Sequence, residues 1–275
     1  MSLRRAWGLV LAGAFALSAC ASMPAPGSSG LVETTSGALQ GSPEGNAIVF
    51  RGVPYAQPPV GELRWRAPEP ARLDGVIVAD SFGPACLQPV NEDGSPNYGG
   101  YAGPVSEDCL TLNIWAPQGA TNAPVMVWLF GGGGVVGAGS LPTYHGDAFA
   151  RDGVMLVSIN YRLGGLGGWA HPALTAEKAG GPNANYALMD AIAALRWVKE
   201  NAARFGGDPD NVTLFGESAG ATMTANLVTS PLAEGLFEKA IFQSTGSLPT
   251  PGTPLAQAEA RGEASAKALG LPDAT

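Results

Sequence analysis

Val212-Thr213-Leu214-Phe215-Gly216-Glu217-Ser218-Ala219-Gly220 is the stretch on which the fold of this chain turns. A short β-branched and apolar run, residues 212–215, leads into a Gly-x-Ser-x-Gly pattern, and a helix-forming run, residues 219–228, leads out of it. Among 39 glycines in 275 residues the five-residue pattern alone is weak evidence. Its context strengthens it, because strand, tight bend and helix follow in the order that a nucleophile elbow requires. There the two glycines let the arms approach closely, and the serine is held strained at a helix amino terminus with its hydroxyl exposed. The amide of Ala219, at the positive end of that helix, is a candidate oxyanion donor. Glu217, beside the serine, is a candidate carboxylate for shaping the local field or for structural hydrogen bonding. A turn serine without catalytic importance is the bland alternative.

Working outward, residues 185–205 carry Leu188, Ile192, Leu195 and Val198 with Met189, Ala193 and Trp197 alongside, a wide helical stripe. Gly206-Gly207-Asp208-Pro209 stops that helix. Residues 111–115, 125–130, 154–160 and 239–243 read as short buried strands, and residues 255–269 as a helix. This succession predicts an α/β fold with a mostly parallel central sheet and helices on both faces. Nearer the amino terminus, residues 31–70 alternate apolar and polar and are broken by glycines and Pro58-Pro59, predicting small antiparallel strands and a long loop. Residues 81–104 read as loop.

A second constellation, Gly131-Gly132-Gly133-Gly134, directly follows the strand at residues 125–130. Backbone amides without side chains in the way suit a tetrahedral oxyanion, which makes Gly132 and Gly133 candidate donors. Gly132, Gly134 and Gly137 also satisfy Gly-x-Gly-x-x-Gly, a phosphate-binding pattern. Pro142 interrupts the helix that pattern needs, and the next strand ends in Asn160-Tyr161-Arg162 without an acid for a ribose. A plain flexible glycine loop is the remaining alternative.

A formal net charge of −8 with 14% charged residues lacks the basic footprint of a nucleic-acid binder. Arg4 and Arg5 precede an apolar run, residues 6–17, too short to span a bilayer as a mature helix. Leu17-Ser18-Ala19-Cys20 resembles a bacterial lipoprotein signal, with Cys20 as the lipid-bearing residue; an ordinary secretory signal is the alternative. Residues 1–20 are read as this signal, residues 21–30 as a flexible tether and residues 31–275 as the folded portion. Membrane association is expected only through the lipid anchor. The expected location is exported, periplasmic or membrane-anchored. Cys86 and Cys109 then form an even pair in a compartment that permits disulfides, and a bond between them is expected, with two separate buried thiols as the alternative.

With these residues in place, the chain resembles the type-B carboxylesterases, α/β-hydrolases that include para-nitrobenzyl esterases and cholinesterases. Two long motifs carry the resemblance: Phe205-Gly206-Gly207-Asp208-Pro209 through Asn211, Val212 and Thr213 to the elbow, and Glu107-Asp108-Cys109-Leu110-Thr111-Leu112-Asn113-Ile114-Trp115. Phe50-Arg51-Gly52-Val53-Pro54-Tyr55-Ala56, Pro58-Pro59-Val60-Gly61, Asn160-Tyr161-Arg162, Asn185, Asp190, Trp197 and Asn201 support it. The resemblance implies Ser218 as nucleophile, the amides of Gly132, Gly133 and Ala219 as oxyanion hole, and Cys86 with Cys109 as the family's first disulfide. It implies a small-molecule ester as substrate and no metal or organic cofactor. Two positions depart from it. Phe130 stands where bacterial members commonly carry His or Tyr, and Gly134 where an aromatic residue usually closes the acyl pocket.

A serine nucleophile needs a general base and an orienting acid. His145 and His171 are the two histidines, and both precede Ser218, whereas the chain order in this fold is serine, acid, histidine. The expectation is that the acid and histidine lie beyond residue 275, so that these residues are the amino-terminal part of an esterase domain and inactive alone. A non-catalytic, cholinesterase-like binding module on the cell surface is the competing class.

Overall fold

The computed structural model describes residues 30–178, 181, 183–245 and 252–271. The signal segment, Cys20 and all of the tether but Gly30 lie outside the described residues. Among the described residues seven strands form the central sheet: β1 (Ser42–Glu44), β2 (Ala47–Pro54), β3 (Thr111–Pro117), β4 (Ala123–Leu129), β5 (Met155–Ile159), β6 (Gly207–Glu217) and β7 (Lys239–Gln243). Their order is β7-β6-β4-β5-β3-β2-β1. The β7, β6, β4 and β5 pairings are all parallel, while β3, β2 and β1 are joined by antiparallel pairings. The sheet is thus mixed, and its parallel half carries the Gly-x-Ser-x-Gly bend.

The eight-residue strand β2 is longer than the small strands expected before residue 70. Ala47, Ile48, Val49 and Phe50 are all buried, so the run is apolar without alternation, as a strand covered on both faces must be. Its register with β3 shifts between Phe50 and Val53. Gly52 sits in that irregularity at φ 63°, and its amide donates to Asn113 Oδ1 at 2.9 Å. A small sheet of Leu31–Thr34, Gly37–Gln40 and Val76–Val78 accounts for the alternation nearer the amino terminus.

Among the described residues six α-helices connect or cover the strands: α1 (Asp147–Arg151), α2 (Gly164–Gly168), α3 (Pro172–Lys178), α4 (Tyr186–Asn201), α5 (Ala219–Val228) and α6 (Leu255–Ala268). Passing from β4 to β5 moves one way across the sheet, and passing from β5 to β6 and on to β7 moves the other way. Right-handed crossovers therefore place α1 on one face and α4 and α5 on the opposite face.

Packing agrees with this. On the α1 face, Trp128 and Phe215 sit side by side with ring centroids 4.8 Å apart, covered by Tyr144 and Phe149. On the α4 face, Phe50 meets Phe205 edge-on at 4.9 Å and Trp197 packs against Phe205. Phe50 and Phe205, both fully buried, each contribute roughly 1.5–3 kcal/mol. The stripe read from sequence is the buried face of α4, with Met189, Ile192, Leu195, Trp197 and Val198 inside. Gly206 at φ 84° ends the 3₁₀ turn that continues α4 and turns the chain into β6.

Cys86 and Cys109 are joined by a disulfide, as expected. It closes a loop whose base is the two-residue pairing of Ala85–Cys86 with Val105–Ser106.

Candidate active site

Strand β6 lies between β4 and β7, so its last residues emerge at the carboxyl end of the parallel half, where such sheets place their ligands. Gly216 pairs with Leu129 on one side and Phe242 on the other. The chain then reverses into α5 through Ser218, which has φ 52° and ψ −117°. For a residue with a β-carbon that conformation costs roughly 1–3 kcal/mol and persists only where the surroundings impose it.

Close packing imposes it here. A β-carbon at Gly216 would stand 2.5 Å from the Gly220 carbonyl carbon, and one at Gly220 would stand 2.0 Å from the Leu129 oxygen. The Ser218 amide donates to Gln243 O at 2.9 Å, and its carbonyl accepts from Thr222 N at 3.0 Å. A serine at a helix N-cap ordinarily spends its hydroxyl on the first free amides of the helix. Ser218 makes no such cap bond. Its hydroxyl is thus not spent on capping α5, and the Ala219 amide, in the first turn of α5, has no partner within its helix.

The glycine run forms a turn against this bend. Gly131 packs directly on the elbow, while Gly132, Gly133 and Gly134 all have positive φ, at 107°, 65° and 71°. The Gly132 carbonyl accepts from Val135 N and Val136 N at 3.0 and 3.2 Å. Among the described residues nothing accepts from the Gly132 or Gly133 amide. A β-carbon at Gly133 or Gly134 would meet no atom within 4 Å, so both border open space. Gly133, Gly134, Ser218 and Ala219 line one cleft of about 550 Å³, with Thr222 and Met223 on its α5 wall and Ser244 and Thr245 beside them. The turn continues into no long helix, so the phosphate-binding alternative has no support in the geometry.

Tyr161, Arg162 and Asp190, which in the sequence only support the resemblance, take on roles around this turn, and so does Gln88, which no sequence pattern singles out. Tyr161 is buried, donates its hydroxyl to Phe130 O at 2.5 Å, and stacks on the Phe130 ring at 4.3 Å. Burial pushes its phenol far upward, so it remains a donor. Gln88 makes a paired contact with Gly137, donating from Nε2 to its carbonyl and accepting from its amide, each at 2.8 Å. Arg162 and Asp190 form a buried ion pair with Arg162 Nη2 at 2.7 Å from Oδ1, and Asp190 also accepts the Arg162 amide at 3.0 Å. Burial pushes the Asp190 carboxyl upward, and the hydrogen bonds and charge of Arg162 pull it back. A polar Asn-Tyr-Arg triplet at the end of a buried strand was the available signal.

Glu217 is half-buried, with Oε2 against Gly131, and its charge adds to the burial that raises the Tyr144 phenol. Neither histidine lines the cleft. His145 is stacked beside Phe82 at 5.2 Å and lies 5.5 Å from the Trp115 ring. His171 lines a separate opening of about 860 Å³ with Trp65 and Trp169, and its Nδ1 accepts from Ala173 N at 3.2 Å.

A strained serine at a strand–helix bend, facing a glycine turn at the carboxyl end of parallel strands, defines the α/β-hydrolase class. Residues 28–275 match the Carboxylesterase family, and the chain belongs to it. It is 48% identical over 232 residues to the fumonisin B1 esterase of Sphingopyxis macrogoltabida, covering 83% of this chain and 42% of that protein. Against the para-nitrobenzyl esterase of Bacillus subtilis (strain 168) the identity is 44% over 220 residues, covering 79% of this chain and 44% of that one. The solved structure of a thermophilic PNB esterase superposes with a TM-score of 0.79 at 42% identity, over 88% of this chain and 49% of that one. The chain thus spans under half the length of these relatives.

Proposed function

We propose that the protein hydrolyses carboxylic esters of small molecules through an acyl-enzyme on Ser218. The single observation that carries this reading is the Ser218 bend, with φ 52° and an uncapped hydroxyl, set against a turn of glycines. In this reading Ser218 Oγ attacks the ester carbonyl carbon as a general base takes its proton, giving a tetrahedral oxyanion. The amides of Gly132, Gly133 and Ala219 donate to that oxygen. Each such donor is typically worth about 3 kcal/mol at the transition state. The tetrahedral species expels the alcohol, which leaves with a proton, and water then hydrolyses the acyl-serine by the same route. The field of the Glu217 carboxylate favours positive charge on the base.

His145 and His171 do not serve as that base here, since both precede Ser218 and neither lines its cleft. We assign the base, and the acid that orients it, to residues outside these 275. Open space beside Gly133 and Gly134 supports substrates that are broad at the carbonyl. We further propose export, with Cys20 acylated and residues 21–30 tethering the enzyme to a membrane surface. Loss of palmitate incorporation in Cys20→Ala tests that.

The protein expressed from its native gene is expected to release para-nitrophenol from short-chain para-nitrophenyl esters, and Ser218→Ala to abolish turnover. Equal turnover by Ser218→Ala would overturn the reading. A folded wild type that releases no alcohol from any ester would favour the binding-module class.

A further inference from the structure

The glycine turn carries no side chains of its own from Gly131 to Gly134, and within it only the Gly132 carbonyl, accepting from Val135 N and Val136 N, ties the backbone to itself. Outside groups hold it in addition, at three places. At its entrance the Phe130 carbonyl accepts the Tyr161 hydroxyl at 2.5 Å. In the middle the Gly134 carbonyl accepts from Gly164 N at 2.7 Å. At its exit Gly137 is gripped on both its amide and its carbonyl by Gln88, at 2.8 Å each. Gln88 is itself held, since Asn97 Nδ2 donates to its Oε1 at 2.9 Å and its Nε2 reaches the Cys86 carbonyl at 3.1 Å.

These contacts come from two separate parts of the chain. Tyr161 and Gly164 belong to the segment that leaves β5, and the Arg162–Asp190 pair anchors that segment to α4. Gln88 lies two residues after Cys86, inside the disulfide loop. The side chain of Phe130 joins the two ends: its ring stacks on Tyr161, and a β-carbon at Gly137 would stand 2.6 Å from its Cδ2. Sub-ångström placement of donors is what oxyanion stabilisation depends on, and small displacements by residues distant from the chemistry cost up to about a hundredfold in rate.

We propose that Tyr161 and Gln88 are positioning residues, clamping the two ends of the glycine turn so that the Gly132 and Gly133 amides face the oxygen of a tetrahedral adduct on Ser218. This rests on the esterase reading above. Gln88 lies off the Ser218 cleft, and Tyr161, although among the residues around that cleft, spends its hydroxyl on the Phe130 carbonyl, so both act through the turn. Their contribution is made in the tetrahedral state, so it falls on kcat and on the affinity for mimics of that state, and leaves KM nearly unchanged.

The test uses the protein expressed from its native gene, para-nitrophenyl acetate as substrate and an alkyl trifluoromethyl ketone, which adds to the serine as a hemiketal oxyanion. Tyr161→Phe removes one oxygen, and Gln88→Ala removes the exit grip at a half-buried position, so the second variant carries the test if the first does not fold. The expected result for each is a kcat about tenfold lower, a KM within about twofold, and a trifluoromethyl ketone Ki weakened by the same factor as kcat. Folded variants with wild-type kcat and Ki overturn the clamp while leaving the esterase reading intact. So does a fall in melting temperature with kinetics unchanged. A wild type inert to substrate and ketone alike overturns both.

Discussion

Gly131 lies so close to Ser218 that a β-carbon on the glycine would stand 3.1 Å from the serine Cβ. The same atom would be 2.5 Å from Glu217 Oε2 and 3.0 Å from the Glu217 carbonyl oxygen. The carboxylate end can swing away, but the backbone cannot. Gly131→Ala is therefore expected to shift the turn against the elbow, lowering turnover at least about tenfold while costing only about 1–3 kcal/mol of stability. Gly220→Ala is the contrast, because its β-carbon would meet the Leu129 oxygen at 2.0 Å and the Phe130 oxygen at 2.6 Å. That variant should fail to yield folded protein. Solubility, melting temperature and kcat for the two together check the distinction.

Asp190 neutralises Arg162 in a site where both side chains are almost wholly shielded from water, 0% and 3% exposed respectively. Removing one member of a buried pair leaves the other charge unpaired, at a cost of about 3–5 kcal/mol. Asp190→Ala is expected to lose that much in urea unfolding. A loss below about 1 kcal/mol would mean that the segment carrying Tyr161 is anchored by other contacts.

Arg64 holds Glu107 by two hydrogen bonds, of 2.5 and 2.7 Å, and the guanidinium draws the Glu107 carboxyl below its ordinary range. A depressed folded-state pKa means that the unfolded chain binds the proton first as pH falls. The stabilisation is therefore complete above the unfolded value near 4.5 and is lost as pH drops through the lower folded value. With both side chains partly exposed, the pair is worth about 1 kcal/mol. Glu107→Gln should be less stable than wild type at pH 7 by about that amount, and denaturant titrations should show the difference shrinking as pH falls below 4.5.

How far this site was legible in the sequence differs from residue to residue. Strand β6, the bend at Ser218 and helix α5 were readable because a strand period, a glycine pair and a helical run follow one another without interruption. The placement of β2 in the central sheet was not, since its first half, Ala47 to Phe50, is apolar on both faces and such a run lacks the alternation by which strands are recognised. The antiparallel pairings of β3 have the same standing, because pairing direction leaves no trace in a single strand. Gln88 and Tyr161 were invisible as a pair for another reason. Their roles depend on carbonyls and amides of Gly137 and Phe130, which every residue possesses, so no side-chain pattern marks the partners.

The disulfide joins residues 23 apart and closes the loop that carries Gln88. Its removal by Cys86→Ser with Cys109→Ser is expected to lower stability by about 3 kcal/mol, from loop-closure entropy in the unfolded chain. Because Gln88 grips Gly137, turnover at a temperature where the variant is still folded should also fall, with KM held. Stability lost without any change in kcat would separate the loop from the glycine turn.

The central claim is that the hydroxyl of Ser218 is a nucleophile, and covalent capture tests it most directly. The protein expressed from its native gene, treated with a fluorophosphonate and digested for mass-spectrometric peptide mapping, should carry one phosphonyl adduct, on Ser218, and Ser218→Ala should carry none. An adduct on another serine of the cleft, such as Ser244, or ester turnover by a protein whose Ser218 stays unmodified, would contradict the account.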